Sequence, residues 1–401
     1  NCALMALLGR GLKDEALELL RQLVRTKLTN AVTACLARRL GVDCEEVEPA
    51  EMIENVLRRR PQNASRFEDF HHKEADVYRA LLAVEPGDAG ALRAAIEDMI
   101  SRDVGLKVSG GEKTCVLDNA LQRHRPQLAL EYVAYVGYTT LGIAMQAKAW
   151  GGKVVSLEMD PINAAISRNV VELAGLSSVA KVQLGHSDDS IPIVLEDYGP
   201  SSVGLVFMDQ RGTRFHADLQ RVEALGLLAD PCVVIADNVL NPGAPLHAWR
   251  VCSMPHYATD IFSLRKFGAQ RSLDWVTISV LRRGPSYGKE AEEQPDLIAL
   301  ARQTDRFRWR TKATPSREMA GEPTDEHARQ FLAVFQRFGI RPNLAVATSP
   351  EGDGGAASRL VQLRPGEGAL PWNLSRPPER LRGGRWRSVI GDPQPLDGLG
   401  A

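Results

Sequence analysis

Hydrophobic and polar residues follow different patterns along the chain, and these patterns separate several regions. Residues 1–68 carry apolar positions at helical spacing, as in LKDEALELLRQLVRTKL from Leu12, which predicts an all-helical N-terminal region. Within it, ALMALLGRGL from Ala3 and AVTACLARRL from Ala31 resemble each other. Two interpretations stay open, namely the remnant of a helical-hairpin repeat array and two similar helices in a plain bundle.

Residues 71–287 alternate between helical patterns and short apolar runs. The strand-like runs are PQLALEYV, KVVSLEMD, AKVQLGHS, VGLVFMD and CVVIADN, and helical stretches such as INAAISRNVVELAGL separate most of them. This alternation predicts an α/β domain with a mostly parallel sheet and helices on both faces. The last run, SLDWVTISVLRR, has no clear helix after it and is predicted to be an antiparallel edge strand.

The C-terminal part divides into two further regions. Residues 290–345 contain two amphipathic patterns, DLIALARQTDRFRW and DEHARQFLAVFQRFG, and are predicted to form a helical extension. Residues 351–401 are rich in Gly, Pro and Arg, which predicts a partly disordered tail. Its arginines could contact RNA or an acidic partner, but we favour a solvated tail.

Composition narrows the class of protein. The chain has 401 residues, a net charge of −1 and no apolar run of membrane-spanning length, so we expect neither a membrane nor a nucleic-acid partner. Its 6 cysteines form no CxxC pair, which disfavours zinc or disulfides and fits the cytoplasm. Because it begins with Asn1, we expect a fragment or a processed product. The oligomeric state is open.

Polar residues follow the predicted strands where each strand ends. Glu158 ends the second strand and is well placed to accept hydrogen bonds from a ribose diol. Asp209 ends the fourth strand, and Asp237 with Asn238 ends the fifth. Two carboxylates and an amide oxygen suit a hard cation such as Mg²⁺. The alternative is that each acid caps the helix that follows it.

These residues resemble the catechol O-methyltransferase family over residues 71–287. The resemblance is carried by AYVGYTT, SLEMDPINAAISRNVVELAGL, LGHSDDSIP, LVFMDQ and, most specifically, GLLADPCVVIADNVLNPGAP. It implies a Rossmann-like methyltransferase fold, S-adenosylmethionine and Mg²⁺ as cofactors, and a catechol-like small molecule as substrate.

The resemblance also implies a role for individual residues. The metal ligands would be Asp209, Asp237 and Asn238, and the substrate would lie against Asn238 and Pro242. The cofactor-binding residues would be Val108, Tyr135, Gly137, Tyr138, Thr139, Glu158, Met159, Ser187, Asp188, Asp209 and Gln210.

The chain departs from the family at the general base. The family's lysine, three residues after the first metal-binding aspartate, corresponds to Gly212. The neighbouring Arg211 and Arg214 cannot replace it because guanidinium stays protonated near neutral pH. His216 is a candidate base, since its ordinary pKa is near neutral.

Other departures concern the cofactor loop and the substrate. Val133 stands where the family has a glycine, so we expect a less close approach of the backbone to the cofactor. The family's tryptophan that packs on the catechol ring falls at Val104. The glutamate that binds the second catechol oxygen has no clear counterpart, and Asp260 and Asp274 are distant candidates.

Three interpretations follow from this pattern. We favour an active Mg²⁺-dependent O-methyltransferase with a changed substrate. The second is a domain that keeps the fold, and with it cofactor binding, but lacks catalysis. The third is an interaction or RNA-associated protein that works through its helical and basic flanks.

Overall fold

The computed structural model describes residues 13–25, 37, 40–42, 72–102, 106, 108–266, 269–283, 292–313, 322–351, 355–362, 380–381 and 385–386. In the N-terminal region it shows one helix, α1 (Lys13–Arg25), whose Ala16 and Leu20 pack against Ala37. Apart from Ala37 and Leu40, the two repeat-like segments lie outside the described residues. The choice between a repeat and a plain bundle therefore stays a prediction.

The remaining helices and strands alternate through most of the chain. The helices are α2 (His72–Leu81), α3 (Ala89–Ser101), α4 (Glu112–His124), α5 (Tyr138–Ala147), α6 (Pro161–Leu173), α7 (Ser187–Tyr198), α8 (Phe215–Ala224), α9 (Pro245–Ser253), α10 (Pro295–Ala313) and α11 (Glu322–Arg337). The strands are β1 (Leu128–Tyr132), β2 (Lys153–Glu158), β3 (Ala180–Leu184), β4 (Val203–Met208), β5 (Leu228–Ala236), β6 (Tyr257–Lys266), β7 (Ala269–Leu281), β8 (Leu344–Glu351), β9 (Gly355–Gln362), β10 (Arg380–Leu381) and β11 (Arg385–Trp386).

The main sheet has the strand order β3-β2-β1-β4-β5-β7-β6-β8-β9. The pairs β2–β3 and β4–β5 are parallel, whereas β7 is antiparallel to both β5 and β6. All five residues of β1 and the last five of β5 are buried, as expected for strands covered on both faces. The predicted Rossmann-like methyltransferase fold is confirmed, with helices and a sheet that mixes parallel and antiparallel pairs.

The last strand of the predicted domain differs in position from the expectation. β7 is antiparallel, as predicted, but β6 pairs with its other side from Tyr257↔Leu281 onward, so β7 is an interior strand. The sequence pattern did not predict β6, because its apolar run is interrupted by Asp260, whose side chain is buried and accepts from Asn343 Nδ2 at 2.6 Å.

The region after the predicted domain adds further elements. Helices α10 and α11 lie in the predicted helical extension, and Gly339, with φ +71°, follows the end of α11. β8 pairs parallel to β6 at Phe262↔Leu344, and β9 pairs antiparallel to β8. β9 lies where the composition predicted a low-order tail. No helix in the described part of the chain is both long and apolar enough to cross a membrane.

The chain divides into two compact units. The first comprises Asn1–Val108, Glu131–Lys148 and Lys153–Glu196. The second comprises Ser109–Leu130, Ala149–Gly152 and Asp197–Ala401. Apart from Asp209 and Gln210, the predicted cofactor-binding residues lie in the first unit. The predicted metal and substrate residues lie in the second.

Candidate active site

The cofactor loop, residues 133–137, connects β1 to α5 in the first unit. Its backbone amides at Val133 and Ala134 donate to the Leu157 carbonyl at 2.8 and 3.2 Å. Val133, Tyr135 and Gly137 have φ values of 79°, 50° and 85°. Val133 thus takes the left-handed conformation in place of the family's glycine, at a cost of about 1–2 kcal/mol for an L-residue. The loop therefore carries backbone strain at Val133.

Glu158 ends β2 and faces this loop. Its Oε2 accepts from the Tyr135 amide and its Oε1 from the Asp160 amide, both at 2.9 Å. Burial raises the pKa of Glu158 to about 7, although these amide hydrogen bonds favour the charged form. Each carboxylate oxygen can accept a further hydrogen bond, so the residue can still accept from a ribose diol.

The other predicted cofactor residues of this unit cluster around the strand ends. Tyr135 and Tyr138 donate their hydroxyls to Glu74 at 2.6 Å and Glu97 at 2.5 Å, which fixes both rings. Thr139 is buried beside Tyr138 in the first turn of α5, and a Cβ at Gly137 would lie 3.1 Å from Ser167 Oγ. The loop therefore packs tightly on helix α6.

Three predicted cofactor-binding residues, Met159, Ser187 and Asp188, follow β2 and β3. Glu158 pairs with Leu184 in the sheet, and the Gly185 amide donates to the Glu158 carbonyl at 2.8 Å. This brings Ser187 and Asp188, at the start of α7, close to the end of β2. Met159 is 50% exposed, so an apolar side chain is available there to an aromatic base. Val108 is half-buried and has no described contact with this group.

Sequence reasoning missed Glu131, near the end of β1. Its side chain is fully buried and accepts from Thr140 Oγ1 at 2.6 Å and from Ser156 Oγ. Burial raises the pKa of Glu131 to about 7. A glutamate inside the apolar run LALEYV was the available signal in the sequence.

The second unit gathers the predicted metal ligands into a carboxylate cluster, which we define as Asp209, Asp237 and Asp274 with Ser109 and Lys113. Asp209 follows β4 and Asp237 follows β5, so the parallel register places them side by side. Ser109 Oγ lies 2.9 Å from Asp209 Oδ2 and 2.5 Å from Asp237 Oδ2. Two carboxylate oxygens and one hydroxyl oxygen therefore converge on one point.

Asp274 is the second buried carboxylate of this cluster and comes from β7. Its Oδ2 accepts from Lys113 Nζ at 3.0 Å and from Asn238 Nδ2 at 2.8 Å. Its Oδ1 accepts from the amides of Asn241 at 3.0 Å and Trp275 at 2.8 Å. The structure thus brings one of the two distant candidates into the site, but its oxygens are engaged by the protein itself.

Asn238 is oriented by these contacts. It has φ 57°, a left-handed conformation that asparagine tolerates better than most residues. Because Asp274 Oδ2 only accepts, the Asn238 amide nitrogen must face it, and the amide oxygen points away. The Asn238 backbone amide donates to Asp237 Oδ1 at 2.6 Å. The asparagine therefore keeps an oxygen for a ligand.

Lys113, in the first turn of α4, was also missed by sequence reasoning. Its Nζ forms ion pairs with Asp237 Oδ1 and Asp274 Oδ2, and its side chain is 7% exposed. Burial by itself would lower the pKa of Lys113, but Asp237, Asp274 and Asp209 outweigh it and raise that pKa above its ordinary value. Lys113 therefore stays a cation and cannot replace the missing lysine as a base.

Gly212 has no room for the family's lysine. A Cβ at this position would lie 2.3 Å from the Gly243 carbonyl oxygen and 3.1 Å from Ala244 Cβ. The backbone of the 3-10 turn Gly212–Arg214 therefore packs directly on the segment that carries Pro242. The departure from the family at this position is tied to local backbone packing.

The Pro242 segment is also covered by the C-terminal helix α11. His327 Nε2 lies 2.7 Å from the Pro242 carbonyl oxygen, to which it donates. The Phe331 ring lies so close to Gly243 that a Cβ there would meet it at 2.2 Å. The predicted substrate loop is thus stabilised by a helix outside the predicted methyltransferase region.

Two predicted site residues have their described partners elsewhere. Gln210 donates to Asp218 at 3.0 Å. His216 faces Glu293 at 3.7 Å, and burial lowers its pKa. Among the described contacts of His216, none joins it to the carboxylate cluster, so the structure gives no support to His216 as the base. Val104 lies outside the described residues.

The contacts of Ser109 indicate that the carboxylate cluster suits a hard cation. Ser109 carries one hydroxyl proton, yet its oxygen is close to two carboxylate oxygens. A cation at this point would remove the repulsion among the oxygens, which are ligand types that Mg²⁺ prefers. Within the described residues, no group of three or more His, Cys, Asp and Glu side chains is arranged to hold a metal ion, so the ligand set would need Asn238.

Three curated proteins that match part of the chain are O-methyltransferases. The chain is 34% identical over 160 residues to bovine (Bos taurus) catechol O-methyltransferase, covering 40% of this chain and 58% of that protein. It is 36% identical over 136 residues to catechol O-methyltransferase of Sus scrofa, covering 34% of this chain and 73% of that protein. It is 35% identical over 161 residues to the human (Homo sapiens) transmembrane O-methyltransferase, covering 40% of this chain and 55% of that protein.

Solved structures give a weaker likeness. An O-methyltransferase from Bacillus cereus in complex with SAH is 20% identical, with a TM-score of 0.40, and the match covers 52% of this chain and 97% of that one. The O-methyltransferase TomG from Streptomyces achromogenes is 17% identical, with a TM-score of 0.40, over 55% of this chain and all of that one. No family model matches the chain.

The strand order and the polar strand ends define a Rossmann-like methyltransferase-type α/β protein. By its identity to the curated relatives, the chain belongs to the catechol O-methyltransferase family. It spans 58–60% of the length of the first three of these relatives.

Proposed function

We propose that this protein is an S-adenosylmethionine- and Mg²⁺-dependent O-methyltransferase that acts on a catechol-like small molecule. The observation that carries the proposal is the convergence of Asp209 and Asp237 on one point beside Ser109. A second, independent group, Glu158 with its backbone donors, has the form expected of a ribose acceptor.

Glu158 is the residue we assign to the cofactor. Its carboxylate would accept from the ribose hydroxyls of the cofactor, and the cofactor loop fixes the orientation of Glu158 through the Tyr135 amide. Met159 and the start of α7, with Ser187 and Asp188, border the base. These side chains fix the position of the cofactor, and S-adenosylmethionine supplies the methyl group when it is bound.

Asp209, Asp237 and Asn238 are the residues that would hold the metal. When bound, Mg²⁺ lowers the pKa of a coordinated hydroxyl group. The chain's own contribution is orientation, because Asp274 fixes the Asn238 amide and the Ser109 hydroxyl lies within hydrogen-bond distance of both aspartates. Loss of an outer contact of this kind typically costs about 10–100-fold in metal affinity or activity.

Proton removal has to proceed without a basic side chain from position 212. The reaction forms an oxygen–carbon bond, breaks the sulfur–carbon bond of the methyl donor and releases the hydroxyl proton. Lys113 stays protonated, and its ammonium adds positive charge to the cluster. We therefore propose that bound Mg²⁺, rather than a general base, would favour the ionised hydroxyl.

A second candidate function has one observation in its favour. Gly212 replaces the family's lysine, and its surroundings leave no space for a side chain. This favours a methyltransferase-like domain that binds cofactor without turnover. An interaction or RNA-associated role through the flanking regions stays a prediction.

The two candidates are separated by a turnover assay. Purified protein is incubated with methyl-labelled S-adenosylmethionine and a panel of catechols, first with Mg²⁺ and then with EDTA. Active protein transfers label with Mg²⁺, loses transfer in EDTA and loses it in Asp209→Ala. Glu196→Ala, which removes an exposed carboxylate of α7, serves as the matched control and keeps activity. Cofactor binding without transfer on any catechol would favour the second candidate.

A further inference from the structure

The carboxylate cluster contains a cation that the protein itself supplies. Lys113 Nζ pairs with Asp237 Oδ1 and Asp274 Oδ2, at 3.0 Å for the latter. Asp274 has four donors directed at its two oxygens, which is the pattern of an ionised carboxylate. The ammonium group therefore lies inside the cluster. It contacts Asp237, a predicted metal ligand, and Asp274, the carboxylate that orients the predicted ligand Asn238.

Charge counting shows why this matters for a divalent cation. Three carboxylates and one ammonium leave the cluster with a formal charge of −2, which one divalent cation neutralises. Without the ammonium the charge would be −3, and attraction for a cation in this buried setting would increase. Lys113 also occupies one oxygen of Asp237, leaving Oδ2 to face Ser109.

We propose that Lys113 is the resident counter-ion of the carboxylate cluster and that its charge sets how tightly the cluster binds a divalent cation. The inference rests on the proposed function, since it concerns the same metal site. In this account Lys113 is a positioning residue, because it acts on the metal through Asp237 and Asp274. The lysine comes from the first turn of α4.

The test is a series of variants that changes the cluster's charge in steps. Lys113→Met leaves −3, Asp274→Asn leaves −1, and the double variant Lys113→Met with Asp274→Asn restores −2. Binding of Mg²⁺ alone, and of Mn²⁺ alone, is measured by calorimetry on the full chain without cofactor or substrate. We expect Lys113→Met to bind the metal on the order of tenfold tighter than the wild type. Asp274→Asn should bind it more weakly, and the double variant should bind close to the wild-type value.

The double variant also guards against a folding defect. Lys113→Met leaves two buried carboxylates without their cation, whereas the double variant removes one charge of each sign and is the gentler change. If Lys113→Met does not fold, wild-type-like affinity in the double variant with weak binding in Asp274→Asn supports the inference. If Lys113 had a purely structural role, both Lys113 variants would bind the metal more weakly than the wild type. That result would overturn the inference.

The remaining outcomes distinguish the inference from the proposed function. Equal Mg²⁺ affinity in the wild type and Lys113→Met, abolished in Asp209→Ala, overturns the inference and leaves the proposed metal site intact. No metal binding in any variant, with all variants folded, overturns both. If the wild type binds Mg²⁺ too weakly to measure, tight binding by Lys113→Met still supports the inference, provided that adding Asp209→Ala to this variant abolishes the binding.

Discussion

The cofactor loop of the first unit and the carboxylate cluster of the second have departed from the family in different ways. In the loop, Val133 replaces a glycine, yet the backbone keeps a left-handed conformation and Glu158 keeps its amide donors. In the cluster, a lysine is lost at Gly212, while the cationic Lys113 lies among the carboxylates on another element. The departure in the first region places a β-branched residue in a strained backbone conformation. In the second region, Lys113 is a cation that contacts two of the carboxylates.

The largest effect should come from Asp274, because its side chain is fully buried and both of its oxygens accept hydrogen bonds. Asp274→Ala removes the acceptor of Lys113, Asn238 and two backbone amides. Leaving a buried charge without its partner costs about 3–5 kcal/mol, so we expect the free energy of unfolding to fall by that amount in denaturant titrations. Asp274→Leu combined with Lys113→Met should recover part of the loss. A cost below about 1 kcal/mol for Asp274→Ala would show that the buried contacts of Asp274 do not stabilise the fold.

Gly212→Ala tests whether backbone packing excludes the family's lysine. The added methyl group would lie 2.3 Å from the Gly243 carbonyl oxygen, and overpacking of this kind costs about 1–3 kcal/mol. We expect a lower free energy of unfolding by chemical denaturation. The matched control is Gly90→Ala in α3, where the nearest atom is 3.4 Å away and the helix should gain up to about 1 kcal/mol. Equal stability of both variants would contradict the packing argument.

Glu131 gives a pH-dependent test of the first unit. Its pKa is raised from 4.5 to about 7 in the folded protein, so the folded state binds more protons than the unfolded state between these values. The free energy of unfolding therefore decreases as pH rises from about 4.5 to about 7. Glu131→Gln removes this titration, so its stability relative to the wild type should improve by about 2 kcal/mol between pH 5 and pH 8. A difference that is constant with pH would show that Glu131 does not titrate there.

Val133→Gly should change the stability of the protein least, and it should raise that stability although it removes a side chain. The change relieves a β-branched residue at φ 79°, and this gain exceeds the entropic cost of glycine by about 1 kcal/mol. We expect a slightly higher thermal midpoint in calorimetry. Val136→Gly, in the same loop but buried and without a positive φ, should destabilise the protein. Destabilisation by both changes would show that Val133 is not strained.

Much of the fold was predictable because buried parallel strands leave continuous apolar runs. The strand order could not be read from those runs, and β6 escaped because Asp260 interrupts its pattern. At the site, the positions of Asp209 and Asp237 were predictable because each follows a strand directly and Asn238 comes next along the chain, whereas their role as metal ligands stays a prediction. Lys113 and Ser109 were not, since they reach the cluster from a helix start and the segment before it, and only the fold brings them there. The packing of Gly212 on Gly243 is likewise a tertiary contact that local sequence does not encode.

We expect the first unit to bind S-adenosylmethionine despite the strained Val133. The most direct measurement is equilibrium binding of S-adenosylmethionine by calorimetry to the wild type, Glu158→Ala and Glu172→Ala. Glu172 is an exposed glutamate of α6 and serves as the matched control. We expect wild type and Glu172→Ala to bind equally and Glu158→Ala to bind at least about tenfold more weakly, as expected for loss of charge-assisted hydrogen bonds. Absence of binding to the folded wild type, or equal binding by Glu158→Ala, would contradict the account.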